Sequence, residues 1–214
     1  MIAAEDADGN LLPALEAVTP LRGRRILDLG SGTGRLPRLL SPIAGSSAAL
    51  DLSRAMLRQQ ARLNGPWPLV QGDLQSLPFP VGWSEVTTAG WAIGHLRAWY
   101  APTWQVVIGR VVDELERVTT PGGVVVILET LGTGSLSPAP PAIHLAEYYA
   151  WLENQRGYTR TQVRTDYLFD SVAEAVACTE FFFGPALSDA IRANNWARLP
   201  EWTGIWSRVI SHQK

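Results

Sequence analysis

Arg25-Ile26-Leu27-Asp28-Leu29-Gly30-Ser31-Gly32-Thr33-Gly34 is the stretch on which the reading of this chain turns. Its first five residues form a short apolar run broken by one acid, the pattern of a strand covered on both faces. Three glycines spaced two apart then let the backbone turn tightly and let a ligand come close. The helix expected to follow offers free N–H groups and a partial positive charge at its start. Pro37 fits that first turn, where no intrahelical donor is needed. The spacing also discriminates: a dinucleotide fingerprint places its third glycine five residues after the first. Here that position is Arg35, which disfavours an NAD(P)-dependent oxidoreductase.

Outward from this turn, short β-type runs alternate with helical stretches. Ala48–Asp51, Leu69–Gln71 and Val86–Ala89 read as the next strands, and the aliphatic Val124–Leu128 follows a Pro121-Gly122-Gly123 turn signal. Helices are predicted over Arg54–Asn64, Val106–Val118 and Ile143–Asn154. In the second of these, Val107, Ile108, Val111, Val112, Leu115 and Val118 share one face. Thr161–Tyr167 alternates like a half-buried strand, Ser171 to Glu174 is a capping box opening a further helix, and Gly184-Pro185 starts a short one. Trp202–Ile210 closes the chain as a strand. The alternation predicts an α/β fold with a doubly wound, mostly parallel sheet, the whole 1–214 forming a single domain.

Composition narrows the function. The chain has 214 residues, a formal charge of −2, 46% hydrophobic positions and nine Trp. That suits one full-sized core and is too apolar for a disordered tail. No basic stripe interleaved with aromatics appears, so a nucleic-acid partner is not expected. The single cysteine, Cys178, excludes an internal disulfide, and His95, His144 and His212 are too scattered for a local zinc motif, so no metal is expected. No apolar run reaches the length of a membrane span, and no signal-peptide pattern opens the chain, which together predict a cytoplasmic protein.

The acid-x-G-x-G-x-G pattern of Asp28, Gly30, Gly32 and Gly34 resembles the first motif of the class I S-adenosylmethionine (SAM) dependent methyltransferases. Asp51 stands 21 residues after Gly30, at the end of the second strand, where a carboxylate accepts both ribose hydroxyls of a nucleoside. Asp51-Leu52-Ser53-Arg54-Ala55-Met56-Leu57 resembles the family's D-x-S-x-x-M-L segment, which packs on adenosine. Gly72-Asp73-Leu74, followed by Leu77-Pro78-Phe79, resembles its G-D-x-x-x-L-P-F segment, whose Asp receives the adenine amino group. The likeness covers about Arg22 to Thr130 and is strongest to the small-molecule branch containing the ubiquinone and menaquinone biosynthesis enzymes. One departure lies at Val81-Gly82-Trp83-Ser84-Glu85-Val86, where the family often has D-x-S-F-D-x-V.

The resemblance implies a seven-stranded, Rossmann-like sheet with the last strand antiparallel. It implies SAM as methyl donor, S-adenosylhomocysteine as product, and a donor site from Asp28, Gly30, Ser31, Gly32, Thr33, Gly34, Asp51, Leu52, Met56, Gly72, Asp73, Leu74 and Trp91. The partner implied is a small-molecule methyl acceptor, apolar or aromatic. Methyl transfer from a sulfonium needs alignment, and a base only if the nucleophile must lose a proton. His95, after the fourth strand, is the candidate base. Glu129 ends the fifth strand at the same mouth, suited equally to a substrate or to a backbone N–H. Residues 131–157 are a candidate substrate-side insertion or lid, although Tyr148 and Trp151 also suit a packed helix face. The alternative function is a protein that holds SAM or S-adenosylhomocysteine without turnover.

Overall fold

The structure, a computed structural model, describes residues 4–211; His212 lies outside the described residues. In chain order the elements are α1 (Leu11–Val18), β1 (Arg25–Leu29), α2 (Arg35–Leu40), β2 (Ser46–Asp51), α3 (Arg54–Ala61), β3 (Leu69–Gln71), β4 (Ser84–Gly90) and α4 (Gly94–Trp99). There follow α5 (Trp104–Val118), β5 (Thr119–Thr133), α6 (Ile143–Asn154), β6 (Thr159–Arg164), β7 (Tyr167–Leu168), α7 (Val172–Phe183), α8 (Pro185–Ala193), β8 (Arg198–Leu199) and β9 (Glu201–Val209).

Seven strands form one sheet in the order β3-β2-β1-β4-β5-β9-β6. Neighbours from β3 to β5 pair in parallel, while β9 runs antiparallel to both β5 and β6. This is the expected architecture, and it puts the ends of β1 to β5 and the start of β9 along one edge. The period of two in β5 explains the two covering layers. Val125 and Ile127 join the core with Ile108, Val111 and Leu115 of α5 and Tyr148, Tyr149 and Trp151 of α6. Val124, Val126 and Leu128 join Leu11 and Leu15 of α1 and Leu36 and Leu40 of α2 on the other face. Each such aliphatic burial is worth about 1.5–3 kcal/mol. Among the described residues, no helix is long and apolar enough to cross a membrane.

Four details differ from expectation. Strand β5 reaches from Thr119 to Thr133, because the Pro121-Gly122-Gly123 turn is absorbed as an irregularity in its pairing with β4. Thr161–Tyr167 is not one half-buried strand: β6 stops at Arg164, and Tyr167 pairs with Leu199 in a separate two-stranded ribbon. As an edge strand with β9 as its partner, β6 is mostly exposed. Helix α1 was not foreseen: its N-cap residue Asn10 makes no cap of its own, and the Asp6 carboxylate accepts the Asn10 and Leu11 N–H groups at 2.9 and 3.0 Å instead. The helix from Arg54 ends at Ala61, and Asn64 turns with positive φ.

Candidate functional site

The glycine turn separates β1 from α2, and its three glycines serve different ends. All have positive φ, at 67°, 53° and 94° for Gly30, Gly32 and Gly34. A Cβ on Gly30 would lie 2.5 Å from the Cβ of Ala92, and one on Gly34 would lie 2.8 Å from Gln60 Cγ. Around Gly32 a Cβ would meet nothing within 4 Å. Two glycines therefore permit close packing of the protein on itself, and the middle one leaves its backbone open at the carboxyl edge of the sheet. Buried Ser31 lies between them, its N–H donating to the Leu50 carbonyl at 2.9 Å, and half-buried Thr33 follows.

Asp51 closes the other side of this opening. Its Oδ2 accepts the Gly32 N–H at 2.8 Å and its Oδ1 accepts the Ser53 N–H at 2.7 Å. A carboxylate offers about four lone-pair directions, so both oxygens retain capacity toward a ligand. Ser53 in turn caps α3 by accepting the Met56 N–H. This cap leaves two apolar side chains outside: Leu52 is 63% exposed and Met56 43%. They form an uncovered shelf beside the carboxylate, while Leu57, next in sequence, is buried. Sequence reasoning missed Gln60, which is buried on the inner face of α3. With its oxygen accepting from Trp67 Nε1 at 2.9 Å, its nitrogen donates to Ser31 Oγ at 2.9 Å and to the Gly32 carbonyl at 3.2 Å. Its spacing of three from Leu57 was the available signal.

Asp28 lies beneath this surface, 3% exposed. Burial pushes its pKa up to about 7, against the opposing hydrogen bond from Thr88 Oγ1 at 2.6 Å, with the charge of Asp51 adding to the rise. Asp28 therefore lies in β1 beneath the turn, not at the open surface. Asp73 is exposed, and its Oδ1 accepts the Gln75 N–H at 2.8 Å in a tight turn after β3. Neighbouring Gly72 is packed against Leu50, and half-buried Leu74 leans on the core below Gly30. Asp28, Gly30, Ser31, Gly32, Thr33, Gly34, Asp51, Leu52, Met56, Gly72, Asp73 and Leu74 thus gather at the ends of β1, β2 and β3.

Trp91 stands at the end of β4 with φ 51°, in the left-handed region that a bulky side chain rarely adopts. Its N–H donates to the Leu128 carbonyl at 2.7 Å, and the Arg35 guanidinium lies 3.8 Å above its ring. His95 falls in the first turn of α4, exposed and stacked on Trp99. Glu129 is 4% exposed, and its Oε1 accepts the Gly94 N–H at 2.8 Å. Burial raises its pKa to about 8 against the backbone hydrogen bonds from Gly94 and Ile93. Of its two expected partners, Glu129 has the backbone. Tyr148, Tyr149, Trp151 and Leu152 of α6 are buried in the main core, so this helix presents a packed face to the sheet. Glu85, in the departing segment, accepts from Arg25 N and Arg24 Nη1 at the opposite end of β4.

Comparison with known proteins bears on this arrangement. Residues 27–127 match the family described as a methyltransferase domain. Over 133 residues the chain is 36% identical to the malonyl-[acyl-carrier protein] O-methyltransferase of Legionella pneumophila, covering 59% of this chain and 43% of that protein. Over 125 residues it is 32% identical to the ubiquinone/menaquinone biosynthesis C-methyltransferase UbiE of Coxiella burnetii, covering 53% of this chain and 46% of that protein. The chain thus spans less than half the length of these relatives. Among solved structures, a SAM-dependent methyltransferase from Aquifex aeolicus superposes with a TM-score of 0.57 at 14% identity, covering 93% of this chain and 89% of the other. The [4+2]-cyclase SpnF superposes at 0.59 with 20% identity, covering 94% and 80%. These two show the fold alone. The glycine turn and the strand-end acids Asp28, Asp51 and Asp73 all lie within residues 27–127, the segment, just under half of the chain, that matches a methyltransferase domain.

Proposed function

We propose that this protein transfers a methyl group from SAM to a small-molecule acceptor with an apolar or aromatic body. The observation that carries the proposal is the open backbone at Gly32 held beside the Asp51 carboxylate, with the uncovered Leu52 and Met56 shelf next to it. These features fit the donor's parts: Asp51 toward ribose hydroxyls, Leu52 and Met56 against the adenine face, Asp73 toward its amino group, and the turn toward the methionine end. Bound SAM supplies an activated methyl carbon. The chain's own residues bind it, orient it and exclude water. Trp91, after β4, would line the donor site, with His95 of α4 as the candidate base.

The second reading is a protein that holds SAM or S-adenosylhomocysteine without turnover, which the same Asp51 and Gly32 geometry would serve. Calorimetry with SAM and S-adenosylhomocysteine tests the donor site, with micromolar binding expected of both. Tighter binding of NADH than of SAM would remove the reading. Release of S-adenosylhomocysteine with a phenol, quinone, amine or acid acceptor separates turnover from binding.

A further inference from the structure

A second group of polar side chains lies on the same edge, beyond the residues assigned to the donor. Glu201 opens β9 beside the irregularity where the β5–β9 pairing shifts between Thr130 and Thr133. Its side chain is 3% exposed. Its Oε1 accepts from Thr130 Oγ1 at 3.0 Å, whereas its Oε2 is buried without a hydrogen-bond partner among the described residues. Arg35, first residue of α2, reaches the same region: its Nε lies 2.9 Å from Glu5 Oε2 and its Nη2 is also buried without a partner. Its guanidinium covers the Trp91 ring. Four chain segments therefore converge here: the residue after the glycine turn, the residue after β4, the end of β5 and the start of β9. The group thus lies on the sheet edge that also carries the glycine turn and the end of β4, beside the proposed donor site.

A carboxylate kept only for structure would use both oxygens, since an orphaned buried acceptor costs stability that a glutamine or threonine avoids. We propose that Glu201 Oε2 is the contact for the reacting group of the methyl acceptor, which is therefore a protic nucleophile, an O–H or N–H. The inference rests on the methyltransferase reading above. As the acceptor oxygen or nitrogen bonds to the methyl carbon, the carbon–sulfur bond breaks and its electron pair stays on sulfur. The acceptor proton passes to Glu201 Oε2, and Arg35 Nη2 is placed to donate to a second polar atom of the acceptor. The local charges suit that role. Burial pushes the Glu201 pKa up to about 7; the nearby hydroxyls of Thr133 and Thr130 and the charge of Arg35 oppose the rise, and Glu5 adds to it. That range suits a base working near neutral pH. Tyr149 of α6 and Tyr167 of β7 also face Glu201, both with pKa values pushed up chiefly by burial, hence neutral. Asp166, which accepts the Glu201 N–H at 3.2 Å, is buried yet held ionised by Arg164 and Arg198.

The test compares wild type with E201Q, which keeps the acceptor for Thr130, at saturating S-adenosylhomocysteine. The probes are 4-methylphenol and benzylamine, each against its proton-free counterpart, 4-methylanisole and benzyltrimethylammonium. Wild type is expected to bind one protic probe about tenfold tighter than its counterpart, and E201Q to lose that preference with S-adenosylhomocysteine affinity unchanged. The phenol and amine arms distinguish oxygen from nitrogen acceptors. With the preferred probe, the fall in turnover below about pH 7 should vanish in E201Q, and E201D should restore part of it. Equal preference in wild type and E201Q, or no protic preference in wild type, overturns the proposal. Failure of wild type to bind S-adenosylhomocysteine at all is a separate result, and removes the methyltransferase reading instead.

Discussion

Asp51 Oδ2 and the Gly32 N–H are joined by a 2.8 Å hydrogen bond that ties the end of β2 to the middle of the glycine turn. The same carboxylate holds the Ser53 N–H at the start of α3. Asp51→Ala removes both ties and the proposed ribose acceptor together. SAM affinity should fall by more than about 1 kcal/mol, read by calorimetry. Unchanged affinity would show that the ribose lies elsewhere.

The glycine turn supports a paired prediction. Gly30→Ala drives a methyl to 2.5 Å from Ala92 in a left-handed backbone, and should cost more than about 2 kcal/mol of stability in urea unfolding. Gly32→Ala meets nothing within 4 Å, so it should cost only the backbone strain of about 1 kcal/mol. Its SAM affinity should nevertheless drop about tenfold, because the added methyl occupies the approach path. Equal loss of stability in both variants would contradict this division.

Glu129 gives a pH signature. Unfolded, it loses its proton near its ordinary value of 4.5; folded, it keeps the proton to about 8. Between those values the native state binds the extra proton, so stability falls as pH rises through the window and levels off above it. Asp28 and Glu201 act with the same sign up to about pH 7. The melting temperature should therefore be higher at pH 5.5 than at pH 8.5, by roughly 2–4 °C for each kcal/mol. Of the three groups, Glu129 owns the slope above pH 7, and E129Q should flatten that part.

His95 and Glu201 can be told apart as bases. His95 is exposed and stacked on Trp99, so His95→Ala should leave stability within about 0.5 kcal/mol. Turnover should stay within about tenfold of wild type, against a fall of about a hundredfold for E201Q. The reverse order in steady-state kinetics would return the role to His95.

The positions of the proposed donor residues were legible because they are local. Asp28, Gly30, Gly32 and Gly34 sit in or beside one turn, Asp51 and Asp73 each mark a strand end, and the family resemblance supplied their proposed roles. Helix α5 was legible for a similar reason: its six buried positions repeat at the helical period. Glu201, Arg35 and Glu5 were not, because they meet only when β9 inserts beside β5, some 70 residues after Thr130. Gln60, the buried polar partner of Ser31, offered only its helical spacing from Leu57, and nothing around Thr88, the partner of Asp28, sets it apart from other polar strand residues. The Thr161–Tyr167 alternation misled because an exposed edge strand and a buried ribbon happen to share one period of two.

The placement of β9 has a consequence for the chain during its synthesis. Strand β6 is made first, yet β9 is its partner in the sheet, and β9 begins 37 residues after Arg164. Until β9 emerges, β6 waits unpaired and β5 presents a long aliphatic edge, a template for wrong pairing. The last strand therefore works as a wedge whose arrival completes two ladders at once. A chain arrested before Glu201 should be sticky and rapidly degraded rather than a smaller working protein, since it lacks the element that closes the sheet and the acid at its mouth.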